Sequence, residues 1–181
     1  MSLRYSFAKA RKTLSCATPY DIVSLEGLCR SIRIAEDKLQ TAGSSAFLRC
    51  YNGCEGLCCR NLEIDSIIGF SDFIYLITVE SQLQEIISTC IENENRIFAG
   101  NCVFLIDGKG PCLFPPTSRP EVCITSFCTD TESIKNEIRC VKSQFMKLNL
   151  YLLVLEFKIL FRNICNKPKD LPENKKTGVF Q

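Results

Sequence analysis

The spacing of apolar and polar positions changes several times along the chain, and each change marks a different predicted element. From about Pro19 to Thr41, Ile22, Leu25, Leu28, Cys29, Ile32, Ala35 and Leu39 recur at three- and four-residue steps. That period belongs to an amphipathic helix with one buried side. Its ends carry matching signals. Thr18 can cap it, Pro19 suits the first helical position, Asp21 stands at capping-box spacing, and Gly43 is placed to stop it.

Beyond Gly43 the pattern shortens. AFLRCYNGCEGLCC, residues 46–59, reads as a Cys-rich hairpin turning at Asn52-Gly53. Residues 60–72 carry no assignable period. FIYLITV, Phe73 to Val79, is apolar on both faces and predicts a central strand. Ser81 and Gln84 then have capping-box spacing, and Leu83, Ile86, Ile87, Cys90 and Ile91 share a helical face. Cys102 to Ile106 and Pro111 to Phe114 read as short strands about the turn Asp107–Gly110, with Pro115 and Pro116 marking an edge. Glu121 to Cys128 is a further strand candidate. Thr129 and Glu132 open a last helix with Ile134, Ile138, Val141, Phe145 and Leu148 inside, and Leu150 to Leu160 reads as the final strand.

These elements predict an α+β fold with a mostly antiparallel sheet. Over residues 73–161 their order is the β-α-β-β-α-β of a ferredoxin-like arrangement, preceded by the amphipathic helix and the Cys-rich hairpin. The expected organisation is one domain over 18–165, between a basic, flexible N-terminus (1–17) and a polar, disordered tail (166–181). The most apolar stretch, Leu148 to Phe161, falls short of the ~20 residues a membrane-spanning helix needs and is interrupted by Glu156 and Lys158.

Composition narrows the chemistry. The 181 residues include 13 Cys and no His. Without imidazole there is no Ser-His-Asp or Cys-His nucleophile, no HExxH site and no mixed Cys/His zinc finger. An odd cysteine count, no Asn-x-Ser/Thr sequon and no apolar signal core in the first twenty residues point to an intracellular protein with free thiols. The same twenty residues hold Arg4, Lys9, Arg11 and Lys12 with no acid, a composition that also suits a mitochondrial transit peptide.

Two cysteine pairs have metal-knuckle spacing, Cys54 with Cys58 and Cys123 with Cys128. A zinc or iron–sulfur site built from those four thiols is one expectation. It requires both segments to leave strand geometry, because alternation sets Cys54 and Cys58 on one face, apart from Cys50 and Cys59, and puts Cys123 and Cys128 on opposite faces. Cys54 to Arg60 matches only the Cys-to-Arg spacing of tyrosine-phosphatase loops, and it lacks the helix N-terminus that lowers the thiol pKa there.

Charge separates along the chain. Residues 50–108 hold nine acids against two bases, whereas 109–181 hold twelve bases against seven acids. Arg139, Lys142 and Lys147 on the last predicted helix are the best-placed partner-binding residues. The acidic middle opposes nucleic-acid binding, for which those three bases would be the contacts. No acid–base constellation emerges. The expectation is a non-enzymatic protein-interaction module or small subunit of a larger complex, with a Cys-ligated zinc or iron–sulfur protein as the alternative and a nucleic-acid-binding domain using the basic helix 130–148 as a further one.

Overall fold

The computed structural model describes residues 2–53, 59, 67–93, 101–106, 111–127 and 130–165, including side chains except at 49–53, 163 and 165. Among the described residues there is no strand or sheet. The helices are α1 (Leu3–Cys16), α2 (Pro19–Ala42), α3 (Ser44–Gly53), α4 (Phe70–Val79), α5 (Gln84–Glu92), α6 (Glu121–Thr125) and α7 (Lys135–Cys165). The α+β, ferredoxin-like expectation is therefore overturned, and the fold is α-helical.

The correction has a physical reason at each misread element. FIYLITV is apolar on every side because α4 is enclosed: Phe73, Ile74, Tyr75 and Leu76 are each 0 % exposed. It packs against α1, α2 and α7 at once. A short helix buried all round has the same apolar run as a central strand. Residues 46–53 belong to α3, so Asn52-Gly53 ends a helix and turns no hairpin. Glu121–Thr125 is the single helical turn of α6. The strands predicted over 102–106 and 111–114 meet in one antiparallel bridge, Leu105 with Cys112. Residues 107–110 between them, like 54–58 and the tail 166–181, lie outside the described residues.

The helix at 19–41 stands as expected, whereas the one expected over 130–148 starts at Lys135, after a short turn at Glu132–Ile134, and runs on to Cys165. Thr18 and Asp21 make the full capping box, the Asp21 N–H donating to Thr18 Oγ1 at 3.2 Å and the Thr18 N–H to Asp21 Oδ2 at 3.2 Å. Gly43 closes α2 by a 2.7 Å bond from its N–H to the Leu39 carbonyl. A side chain there would lie 3.0 Å from that carbonyl and 3.2 Å from the Phe47 ring, so close packing, with φ at −95°, explains the glycine. The basic first residues form α1, with Leu3, Phe7 and Ala10 buried on one stripe.

Helix α2 runs antiparallel to α7. Tyr151 of α7 donates to Asp21 Oδ1 at 3.3 Å at one end, and Ala42 and Cys140 line one groove at the other. Helix α1 runs parallel to α7. Lys9 pairs with Glu156, and Arg162 donates to the Cys16 carbonyl at 3.3 Å. Lys9 also lies 4.2 Å over the Phe70 ring, which ties α1 to α4. An aromatic series crosses the core, Phe7 to Phe73 at 5.3 Å, Phe73 to Phe104 at 6.4 Å and Phe104 to Phe114 at 4.8 Å.

Three buried carboxylates fasten the irregular segment that leads into α6. The Tyr75 hydroxyl donates to Glu36 Oε2 at 2.7 Å and lies 3.4 Å from the Thr117 carbonyl. Ser118 Oγ donates to Glu80 Oε1 at 2.7 Å. Asp72 accepts from the N–H groups of Gly69 and Glu121, both at 2.9 Å. Buried backbone that cannot enter a ladder needs such partners. Burial pushes Glu36 up to about 8, against the opposing hydrogen bond from Tyr75. It pushes Asp72 up to about 6, against its two backbone donors.

Candidate protein-interaction face

Helix α7 continues through the region where a turn and a strand were expected. No Gly or Pro stands between Glu121 and Lys167 to break it. Its inner positions Val141, Phe145, Leu148, Leu152 and Leu155 are at most 2 % exposed. They repeat in steps of four and three. A second series, Met146, Leu150, Leu153, Phe157, Leu160 and Ile164, repeats in the same steps on the opposite face and is open to solvent. Val154 and Phe161 widen this outer stripe. All eight outer residues are more than half exposed, from 52 % at Val154 to 66 % at Ile164.

Two apolar faces on one helix explain why LNLYLLVLEFKILF looked like a buried strand. Only the inner face meets the core. The outer one sets eight large apolar side chains, each more than half exposed, side by side along the helix, the kind of surface that marks an interaction site.

The patch lies between two neighbouring elements. On one side Tyr5, Ala8 and Thr13 of α1 and Leu153, Phe157 and Leu160 of α7 line a groove of about 560 Å³. On the other, Tyr20 at the start of α2 stands beside Val154, Phe157 and Phe161. Tyr5 and Tyr20 are 57 % and 77 % exposed, so the aromatic surface continues past the helix.

The edges are polar and mostly basic. Lys158 Nζ and Arg162 reach Asp21 at 3.8 and 4.0 Å, while Asp21 itself is buried. The Thr18 hydroxyl holds the Asp21 carboxyl below its ordinary range, helped by Lys158 and opposed by burial. Arg139, Lys142 and Lys147, predicted as partner contacts, are all exposed on α7. Arg139 lies one heptad before Met146, in line with the stripe, and Lys142 and Lys147 flank it.

No family model, curated protein or solved structure matches this chain. The face is therefore judged on its own geometry.

Of the thiols predicted as metal ligands, Cys123 is exposed on α6, and Cys54, Cys58 and Cys128 lie outside the described residues. Cys123 stands instead near Cys112, Cys102 and Cys59. Burial pushes the Cys102 thiol up to about 12, and neighbouring Cys112, Cys59 and Cys90 push it the same way. These thiols come from separate segments, so linear spacing could not reveal them. Among the described residues no three Cys, Asp or Glu side chains are arranged to hold a metal ion. No described helix is long and apolar enough to cross a membrane.

The residues missed by sequence reading are the outer stripe of α7. Their signal was present as an unbroken four-three repeat from Met146 to Ile164. It was obscured because residues at the intervening positions are apolar too.

Proposed function

We propose that this protein is a non-enzymatic interaction module, or small subunit of a larger assembly, that docks through the outer face of α7. The observation carrying this reading is the exposed stripe from Met146 to Ile164 beside the α1–α7 groove. Apolar anchors at helical spacing, set beside a groove with a charged edge, suit recognition of another helix. Burying such a face removes apolar surface from water, and its aromatic residues are the type that dominates interface energetics. The buried carboxylates do not compete as a catalytic centre, since Glu36 is 0 % exposed and its partners hold a chain segment in place.

A photo-crosslinking residue at Leu153, in the intact chain expressed in cells, tests the reading. Discrete protein adducts are expected there and not with the same residue at Glu85 on α5. Phe157→Asp should abolish them. Absence of adducts at 153, or equal adducts at both positions, would refute the proposal.

A second reading, thiolate zinc binding, rests on the paired spacing of Cys54 with Cys58 and of Cys123 with Cys128. Protein purified without added zinc distinguishes it. Near-stoichiometric zinc, with four thiols protected until chelation, supports a metal site. Thirteen freely titrating thiols in denaturant, no metal and a melting temperature unchanged by chelator remove that reading.

A further inference from the structure

We infer that the occupant of the α7 face is a second copy of this chain, paired antiparallel about a two-fold axis near residue 155. This rests on the interaction reading above and names its partner. The outer stripe has steps of four, three, four, three and four residues, a series that reads the same in both directions. A two-fold axis perpendicular to the helix therefore brings every member against another member. Met146 meets Ile164 of the other copy, Leu150 meets Leu160, and Leu153 meets Phe157. A self-complementary patch is the requirement of a C2 interface.

The extent agrees: eight apolar side chains, each more than half exposed, lie along about five turns of α7, enough for a coiled-coil-like seam.

Charge selects the direction. In a parallel pair the flanking positions would set Lys142 of one copy against Lys147 of the other, a like-charge contact at both edges. In the antiparallel pair Lys147 falls beside Phe161 of the other copy, and Val154 beside Val154. At the axis the two Glu156 residues approach each other. Each already has its own Lys9 as partner. The two pairs can then form a four-charge group of alternating sign. Lys9 is further fixed over the Phe70 ring, so it is held where that neutralisation is needed.

Sedimentation equilibrium of the full chain in reducing buffer, from about 1 to 200 µM, tests the pairing. A reversible dimer is expected. Phe157→Asp and Val154→Asp should each shift it to monomer, with helical circular dichroism and melting temperature retained because both residues are exposed. Glu156→Lys would replace the alternating charges at the axis by four like charges and should weaken the dimer by about two- to fivefold. Lys9→Ala should weaken it by a similar factor. A photo-crosslinking residue at 154 should attach near 154 of the other copy, and one at 147 should attach near 161.

A chain monomeric throughout, or a dimer indifferent to Phe157→Asp, overturns the proposal. So does a crosslink from 147 to residues near 142, which marks parallel pairing. If the chain is monomeric while Leu153 still yields discrete adducts with another protein in cells, self-pairing fails and the interaction reading stands. If the adducts are absent as well, both fail.

Discussion

Phe73→Ala is expected to destabilise the protein by about 3–5 kcal/mol, the cost of removing a large buried aromatic side chain and leaving a cavity. The site has little freedom to collapse. Phe73 is 0 % exposed, stands edge-on to Phe7 of α1 and also contacts Phe104. Its loss opens the aromatic series where three chain segments meet. Against a total stability of roughly 5–15 kcal/mol the loss is large. The melting temperature should fall on the order of 10 °C. Phe73→Leu retains most of the volume and should cost less than half as much. Thermal and urea unfolding of both variants checks this. Equal, small effects would mean that α1 does not depend on this contact.

The second large effect is a dependence on pH. Glu36 has an ordinary value of 4.5 and is pushed up to about 8 by burial. The folded state therefore favours its protonated form. Its contribution is fully present below about pH 4.5 and is lost as pH rises through about 8. Asp72, raised from 3.8 to about 6, acts in the same direction over a lower window. Asp21 acts oppositely, because its lowered value stabilises the fold at neutral pH and is lost on acidification. Around Glu36 stand Tyr75, which donates to it, Arg119, which favours its charge, and Asp37, which opposes it. One oxygen, Oε1, has no hydrogen-bond partner among the described residues, so ionisation leaves negative charge buried and incompletely compensated.

Between pH 5 and pH 8 the melting temperature should accordingly fall by roughly 5–10 °C, corresponding to a few kcal/mol. Glu36→Gln keeps an acceptor for the Tyr75 hydroxyl and removes the charge. The variant should be the more stable protein at pH 8, with less than half the wild-type slope. Parallel slopes for the two proteins would show that Glu36 does not ionise in this window.

What was legible in the sequence depended on contrast between faces. Helix α2 has one apolar side and one charged side, together with Thr18, Pro19, Asp21 and Gly43 at its ends, and its bounds fall within a residue of expectation. Its neighbour α4 has no contrast, because tertiary packing covers it from all directions. Periodicity then cannot separate helix from strand, and ten residues are too few for length to decide.

The candidate site failed to appear for a related reason. Arg139, Lys142 and Lys147 were singled out because charge stands out on a helix, and all three are exposed. The apolar stripe beyond them was assigned to a core, as apolar runs usually are. The absence of any turn residue around Asn149 was the overlooked evidence, since a helix ending at 148 and a strand beginning at 150 leave no room for a connection. The thiols near Cys102 had no linear signal at all. They meet only because residues 59, 90, 102 and 112 are folded together.

The pairing of α2 with α7 sets an order of events during synthesis. The Tyr151 hydroxyl reaches a carboxylate 130 positions earlier in the chain. Helix α2 emerges from the ribosome with Leu25, Ile32 and Leu39 ready to be buried; α4 can pack on it first, but α7, its most extensive partner, is made after every other described helix. At ~5–20 residues per second the delay is on the order of 10 s. Throughout it, the nascent chain carries an apolar α2 face only partly covered by the helices already made, the kind of exposed surface that chaperones hold.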